Sequence, residues 1–546
     1  MTGDLRAWTG ADGVTRLTGH VCAPPDVIGA ASRPQLQVTG PGGGAVTQLF
    51  ELSPADRQAY RVIGQDCAAD SRVFLVSQVI GAPVRDIGGV TLGARDGTAH
   101  PLPLRRARRE TSQKFGIVYS LDHCLVSGTR HNVAPGQPIF NTTRISRMPG
   151  GARGWGPVRW NHWIDKPLDG YYCLTGNKRL ARKHAFLLSV MGVDFVILDM
   201  TNMAVAATRD RPDRYSDEFR TKVAGPVGTL MATWRDLAAR PRPVDVPRIV
   251  PWAGMFLETR KTKIAPERSI VRYLVGDFLP GLHEAGLGMP VDGSGKPLLL
   301  VKMNYTYRFN PNRAVEVIRH FGLKRHFTTR AMWADRKKLE ARFGNRQERN
   351  AGMRGPDNFW SFLEPCRMSD GRIATGCHQS AGSPEQISVS VGYPSDTFMS
   401  IERETHRRRG RTLFQQFQKV FADDGRTPFV VLSVWNPWTN PRQCPPVNGN
   451  NPNGKGPPLV WNDFASHAAR DCIGGLSYYP GGAPAFLDNY DLERSKLIEP
   501  DRDWGDCYMS LARDLIFAAR AGRDDLSAAQ RKRFAACSDD GFDLRR

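Results

Sequence analysis

The sequence predicts an α/β protein in two parts: an all-β, sandwich-like domain over residues 1–104, then a (β/α)8 TIM barrel over residues 110–546. Three observations predict it. Short β-prone runs recur at even spacing up to about residue 104. From Lys114 onward, apolar strand-sized runs alternate with amphipathic stretches of helical period. Eight such runs can be found in the second part, the number that closes a barrel. The 546 residues also exceed the size at which one hydrophobic core keeps growing, so more than one domain is expected.

In the first part the β-prone runs are 14–21, 34–39, 45–52, 60–65 and 72–79, separated by Gly, Pro, Asp or Ser. No amphipathic helix of useful length is predicted there. The Pro- and Arg-rich residues 101–109 read as a linker. An ancillary carbohydrate-binding role and a purely structural one both fit this domain. In the second part the strands are expected at 115–121, 194–199, 248–252, 298–304, 326–333, 386–391 and 429–435, with a less distinct sixth one at 359–363. Their β-branched and apolar composition suits strands buried on both faces of a parallel sheet. Helices are expected at 180–191, 218–240, 267–284, 312–321, 335–343 and 412–422. A doubly wound sheet is the structural alternative, but neither GxGxxG nor GxxxxGK[ST] follows a strand.

Composition narrows the function classes. No apolar run approaches the ~20 residues that span a bilayer, so no membrane span is expected. The formal charge is +21 and the pI near 9.8. The basic residues are spread along the chain, with clusters only at 105–109 and 407–411, and no zinc-finger or RNA-binding signature accompanies them. Nucleic acid is therefore not expected as a partner. A basic field equally suits an acidic polysaccharide, an anionic surface or a solvated Arg-rich exterior. The ten cysteines form no CxxC pair. Cys22–Cys67, Cys366–Cys377 and Cys444–Cys472 are candidate disulfides, which would place the protein in an oxidising, secreted or periplasmic setting. Ten reduced thiols are the other reading. Thr2-Gly3-Asp4-Leu5 carry no export signal, which was either removed or never present.

A barrel carries its site at the C-terminal ends of its strands. Those ends read Leu198-Asp199-Met200-Thr201-Asn202, Pro251-Trp252, Lys302-Met303-Asn304-Tyr305, Met332-Trp333, Phe362-Leu363-Glu364 and Trp435-Asn436-Pro437-Trp438. Aromatic faces stack on the C–H surfaces of sugars, while amides and carboxylates satisfy the hydroxyls. Trp252, Asn304, Trp333, Trp435, Asn436 and Asn202 are thus candidate substrate-binding residues. His162 and Trp163, in an aromatic-rich loop after strand one, join them.

Asn161-His162-Trp163, Gly170-Tyr171-Tyr172, Lys183-His184-Ala185, Gly192-Val193-Asp194-Phe195, residues 385–391, Trp435-Asn436-Pro437-Trp438 and residues 488–500 occur in one order. In that order the chain resembles uncharacterised bacterial proteins related to glycoside hydrolase family 99, across about residues 115–520. The resemblance implies a (β/α)8 barrel acting on glycans. It also implies carboxylates in a strand-eight WNEWxE motif, where this chain has Pro437 and Asn440.

Glycosidic cleavage generally uses two carboxyl groups. Asp199 and Glu364 are the candidate pair, Asp199 being equally readable as a turn-capping residue and Glu364 as an exposed loop carboxylate. Glu258 and Asp122 are weaker candidates. Glu385 would stand at the opposite end of the barrel, and His184, Glu493 and Glu499 are read as structural. Without HExxH or paired metal-ligand spacing, no metal and no cofactor are expected. The function expected is hydrolysis of a bacterial or plant polysaccharide or oligosaccharide by rim carboxylates, with an acidic substrate suggested by the charge. A non-catalytic glycan-binding barrel, or one tied to surface-polysaccharide synthesis, are the alternatives.

Overall fold

A computed structural model describes residues 2–10, 12–29, 33–41, 43–107, 112–121, 123–124, 161–163, 172–201, 207–208, 211–254, 270–302, 318–319, 321–333, 359–362, 385–391, 410–436, 439–441, 492–493, 505–537 and 544. The first part holds β1 (Gly3–Thr9), β2 (Thr15–Ala23), β3 (Gln35–Thr39), β4 (Gly44–Val46), β5 (Leu49–Glu51), β6 (Arg72–Ile80), β7 (Gly89–Gly93), β8 (Ala99–Leu102) and β9 (Leu104–Ala107). They form a five-stranded sheet, β5-β6-β2-β1-β9, and a four-stranded antiparallel sheet, β4-β3-β7-β8. Alternate side chains of the two sheets, among them Leu5, Leu17, Val76, Leu36, Val38 and Leu92, meet in one apolar cluster.

Three expectations for this region need correction. The run 45–52 is two strands in different sheets, not one. Residues 60–65 contain no strand; α1 (Pro54–Ala59) and α2 (Arg61–Gln65) stand there. Pro54 at the first helical position and the Ser53/Asp56 capping box start α1, local signals that outweigh the β-prone Tyr, Val and Ile. The supposed linker at 101–109 is ordered as β8 and β9 as far as Ala107, with β9 running parallel to β1.

The remaining strands are β10 (Lys114–Ser120), β11 (Asn161–Trp163), β12 (Phe195–Met200), β13 (Ala207–Thr208), β14 (Arg211–Tyr215) and β15 (Arg248–Ala253). They continue as β16 (Leu298–Lys302), β17 (Thr328–Trp333), β18 (Phe359–Ser361), β19 (Gln386–Ser390), β20 (Phe429–Ser433) and β21 (Thr439–Pro441). Eight of them make one all-parallel sheet in the order β18-β17-β16-β15-β12-β10-β20-β19. Consecutive strands are neighbours, except that the sheet turns back through β20 to end on β19.

That order brings β18 and β19 together as the two edges of a nearly closed barrel. Among the described residues no backbone ladder joins them; side chains do. Ser361 N donates to Gln386 Oε1 at 3.0 Å, while Gln386 Nε2 at 3.1 Å and Ser388 Oγ at 2.8 Å donate to Ser361 O. From outside, buried Lys419 donates to the Ser388 carbonyl at 2.6 Å. Polar edge groups that would be costly to bury are thereby satisfied.

Strand alternation sorts the side chains. Val118, Phe195, Ile197, Val250, Leu298, Leu300, Met332, Trp360, Phe429 and Val431 fill the barrel. Phe115, Ile117, Val196, Leu198, Leu299, Val301, Val389 and Leu432 face outward. Gly116 is an inward position where a Cβ would lie 2.1 Å from the Phe195 ring, so the filled interior demands glycine there. Against the outer face pack α3 (Lys178–Met191), α4 (Gly225–Ala238), α5 (Leu279–Glu284), α6 (Arg411–Asp423) and the C-terminal α7 (Cys507–Arg520), which is followed by α8 (Ala528–Arg533). The helices expected at 312–321 and 335–343 lie largely or wholly outside the described residues.

The two parts are joined by polar contacts as well as by a shared apolar cluster. Lys183 pairs with Asp56 at 2.6 Å, Arg16 with Asp245 at 2.9 Å, and Asp506 accepts from the amides of Val62 and Ile63. Buried Arg6 bonds Asp4 at 2.7 Å and also reaches Asp514 of α7. Arg533 bonds Asp4 at 3.0 Å and Asp66 at 2.6 Å. Burial is the largest single influence on the Asp4 carboxyl and raises it, but Arg6, Arg513 and Arg105 together outweigh it and hold the group far below the usual range. Disulfides connect Cys22 with Cys67, Cys124 with Cys173 and Cys507 with Cys537. The first of these was expected; Cys366, Cys377, Cys444 and Cys472 lie outside the described residues.

Candidate functional site at the barrel mouth

At the C-terminal end of the barrel, inward positions are found by continuing the alternation of each strand. On β12, Asp199 shares the face of Phe195 and Ile197. On β16, Lys302 shares the face of Leu298 and Leu300. Ser390 and Ser433 face inward on β19 and β20, paired in register, buried, and with hydroxyls that lack a partner among the described residues. Asp199 is also paired in register with Trp252, which sets a carboxylate beside an indole at the top of the barrel.

Asp199 Oδ1 accepts the amide of Thr201 at 2.9 Å, the geometry of a turn cap. Half-buried Lys302 has its amine pushed down to about 8 by burial, an effect the nearby Asp199 charge partly counters. Trp252 is almost fully buried and packs on the Phe362 ring, with centroids 5.2 Å apart. At the opposite, N-terminal end, Glu385 binds Arg330 through two 2.7 Å bonds and accepts the Trp360 indole at 2.8 Å.

Trp435 and Asn436 occupy a different environment from the sugar subsites expected for them. Both have no exposed surface. Trp435 belongs to the outer cluster, its ring edge-on to His184 at 5.8 Å. Asn436 Oδ1 accepts the Ser120 amide at 2.8 Å, and Asn436 Nδ2 donates to Tyr172 Oη at 3.1 Å. Asn436 thus ties the exits of strands one and eight together rather than facing solvent.

A buried network extends from it. Tyr172 donates to Glu493 at 3.0 Å, Glu493 bonds His184 Nε2 at 2.7 Å, and His184 Nδ1 bonds the Tyr119 hydroxyl. His123 Nε2 meets the Asn436 carbonyl at 2.8 Å. Burial, and secondarily the Glu493 charge, push the Tyr119 hydroxyl well above its ordinary value, so it remains a neutral phenol. Glu493 is anchored in turn by its amide, which donates to the Trp435 carbonyl at 2.9 Å. The Cys124–Cys173 disulfide flanks the same loops.

β11 pairs antiparallel with β21, His162 opposite Asn440 and Trp163 opposite Thr439. Segments that follow strands one and eight therefore pair with each other; the side chains of His162 and Trp163 lie outside the described residues, as does that of Trp333. Glu364, Asn202, Asn304, Glu258, Asp122 and Glu499 also lie outside. Of the residues that sequence reasoning singled out, Asp199 and Trp252 come together.

Lys302 stands in the strand-four end as read from the sequence but received no role there, although a lone charge closing the apolar run Leu298-Leu299-Leu300-Val301-Lys302 is a readable signal at a barrel rim. Tyr119, Tyr172 and His123 gave no comparable signal, because their network is assembled from segments far apart in sequence. Among the described residues, His20, Cys22 and Cys67 bring three metal-type ligand atoms together, but the disulfide between the two cysteines occupies their sulfurs. No protein-family model matches the chain, and no curated protein matches it.

Proposed function

We propose that the eight-stranded sheet is the core of a (β/α)8 barrel whose mouth acts on a carbohydrate, Asp199 serving as one of two carboxyl groups in glycosidic cleavage. The observation that carries this reading is the register pair Asp199–Trp252: a carboxylate and an aromatic face side by side at the C-terminal end of the barrel. Trp252, buried against Phe362, would back the carboxylate as an apolar wall rather than stack on a sugar ring, and Asp199 retains an oxygen beyond the one that caps Thr201. Glu364, on the strand-six loop, is the proposed second carboxyl group. His162 and Trp163 are proposed to add substrate contacts, and the disulfides fit a secreted or periplasmic setting. The charge of +21 favours an acidic glycan.

The test is product release from a panel of acidic and neutral polysaccharides. Asp199→Asn, which keeps an oxygen for Thr201, is expected to lower turnover roughly 10²–10⁴-fold. Unchanged turnover removes Asp199 from this role. Pro437 and Asn440, in place of the strand-eight carboxylates, favour a second reading, a barrel that binds glycan without cleaving it. Saturable binding with no product after prolonged incubation would select that reading.

A further inference from the structure

The junction between the two parts pairs its buried cations with carboxylates: Lys183 with Asp56, Arg16 with Asp245, Arg6 with Asp4. One group of arginines at the same junction departs from that pattern. Arg182, in the second turn of α3, donates to the Leu49 carbonyl at 3.4 Å. Arg240, just past the end of α4, donates to the Gln48 side chain at 2.8 Å, and Arg242 donates to the Ala45 carbonyl. Three guanidiniums thus converge on residues 45–49, which span the turn from β4 into β5. Every acceptor they reach there is neutral. Arg33, exposed just before β3, adds its charge to that of Arg240 in acting on Arg182. None of the four has a carboxylate within ion-pair distance among the described residues.

We propose that Arg182, Arg240, Arg242 and Arg33 form a binding site for a phosphate or sulfate group at the junction of the two parts. Guanidinium N–H groups fork onto the oxygens of such a group in pairs, and a tetrahedral oxyanion can meet several forks at once. Arg182 is half-buried with its guanidinium over the Phe186 ring, and its Nε, shielded from solvent, has no hydrogen-bond partner. Burial, and then the charges of Arg240 and Arg33, push this guanidinium below its ordinary value, so it is held among like charges at a cost that a bound anion would offset. The group can be carried by a free ion or by an ester on a glycan, since both present the same oxygens. The site lies outside the parallel sheet, among α3, the end of α4 and the β4–β5 turn, so it stands apart from any role of Asp199.

The full-length protein is titrated calorimetrically with inorganic phosphate, inorganic sulfate, dextran sulfate and uncharged dextran, with chloride holding the ionic strength constant. Saturable binding of at least one of the three anionic probes, and none of dextran, is expected. Arg182→Gln and Arg240→Gln, which keep a side-chain amide donor, should each weaken that binding roughly tenfold. Arg33→Gln, at an exposed position, should weaken it as well and keeps the test independent of how the other variants fold. Arg85→Gln, at a side chain 84% exposed elsewhere on the first part, should leave it unchanged. Binding of the free ions would identify the source as a small anion, and binding of dextran sulfate alone as an esterified glycan. An equal loss in Arg85→Gln would reduce the effect to the general field of the +21 charge and overturn the proposal. Binding unaltered in both Arg182→Gln and Arg33→Gln, or no binding of any anionic probe, would overturn it too.

Discussion

Two cations face the inside of the same barrel, each with a carboxylate, yet they are built differently. At the lower end, Arg330 and Glu385 meet through two 2.7 Å bonds, and Trp360 donates to the same carboxylate. Both partners use their hydrogen-bonding geometry on each other, as a guanidinium and a carboxylate do best. At the upper end, Lys302 and Asp199 interact through the field, while Asp199 commits one oxygen to a turn. The difference teaches where chemistry can occur. The doubly bonded pair fastens three strands, whereas Asp199 at the mouth commits one oxygen to a turn and keeps the other for other partners.

Stability should separate the two ends most sharply. Glu385→Ala leaves Arg330 partly buried without its counter-charge and is expected to cost about 3–5 kcal/mol, read from denaturant midpoints. A loss below about 1 kcal/mol would erase the contrast, because the lower pair would then be no more structural than the upper.

The next effect is one of pH. Lys302 titrates near 8 in the folded protein and near the ordinary lysine value when unfolded. Between these values the unfolded chain binds more protons, so stability should rise as pH increases from about 8 to about 10.4, by at most ~3 kcal/mol. Partial exposure of the side chain reduces the gain. The measurement is the difference between wild type and Lys302→Met, since other groups titrate in both; equal slopes would show that Lys302 is not perturbed.

The smallest effect belongs to Asp199. Asp199→Ala removes one turn-capping hydrogen bond at a site open to solvent and should cost about 0.5–1.5 kcal/mol. A loss as large as that of Glu385→Ala would mean that Asp199 is primarily structural, and the proposed role in cleavage would lose its support.

All eight barrel strands were legible because each is a short apolar run of strand length, and burial on both faces leaves that mark in composition. The shortest, at Phe359–Ser361, was also the least distinct. Helices α3, α4 and α6 were legible through their 3.6-residue period. β1, β7 and β9 were not: Thr, Arg and Gly dilute their alternation, and their strand character comes from pairing with neighbours. Asp199 and Trp252 were legible as rim residues, since position at a strand end is a local property. The burial of Trp435 was not, because whether a residue past a strand end turns into the mouth or back onto a helix is set by what waits there, here His184.

The sequence by itself determined the strand rhythm, the basic charge, the absence of a membrane-length apolar run and the Asp199 turn, all of which follow from residues close together in the chain. Tertiary structure alone decided the closure of β18 on β19 by Gln386 and Ser388, the Glu493–His184–Tyr119 network, and the meeting of Lys302 with Asp199. Each joins segments tens to hundreds of residues apart, and their energies depend on burial and distance, which no local pattern encodes.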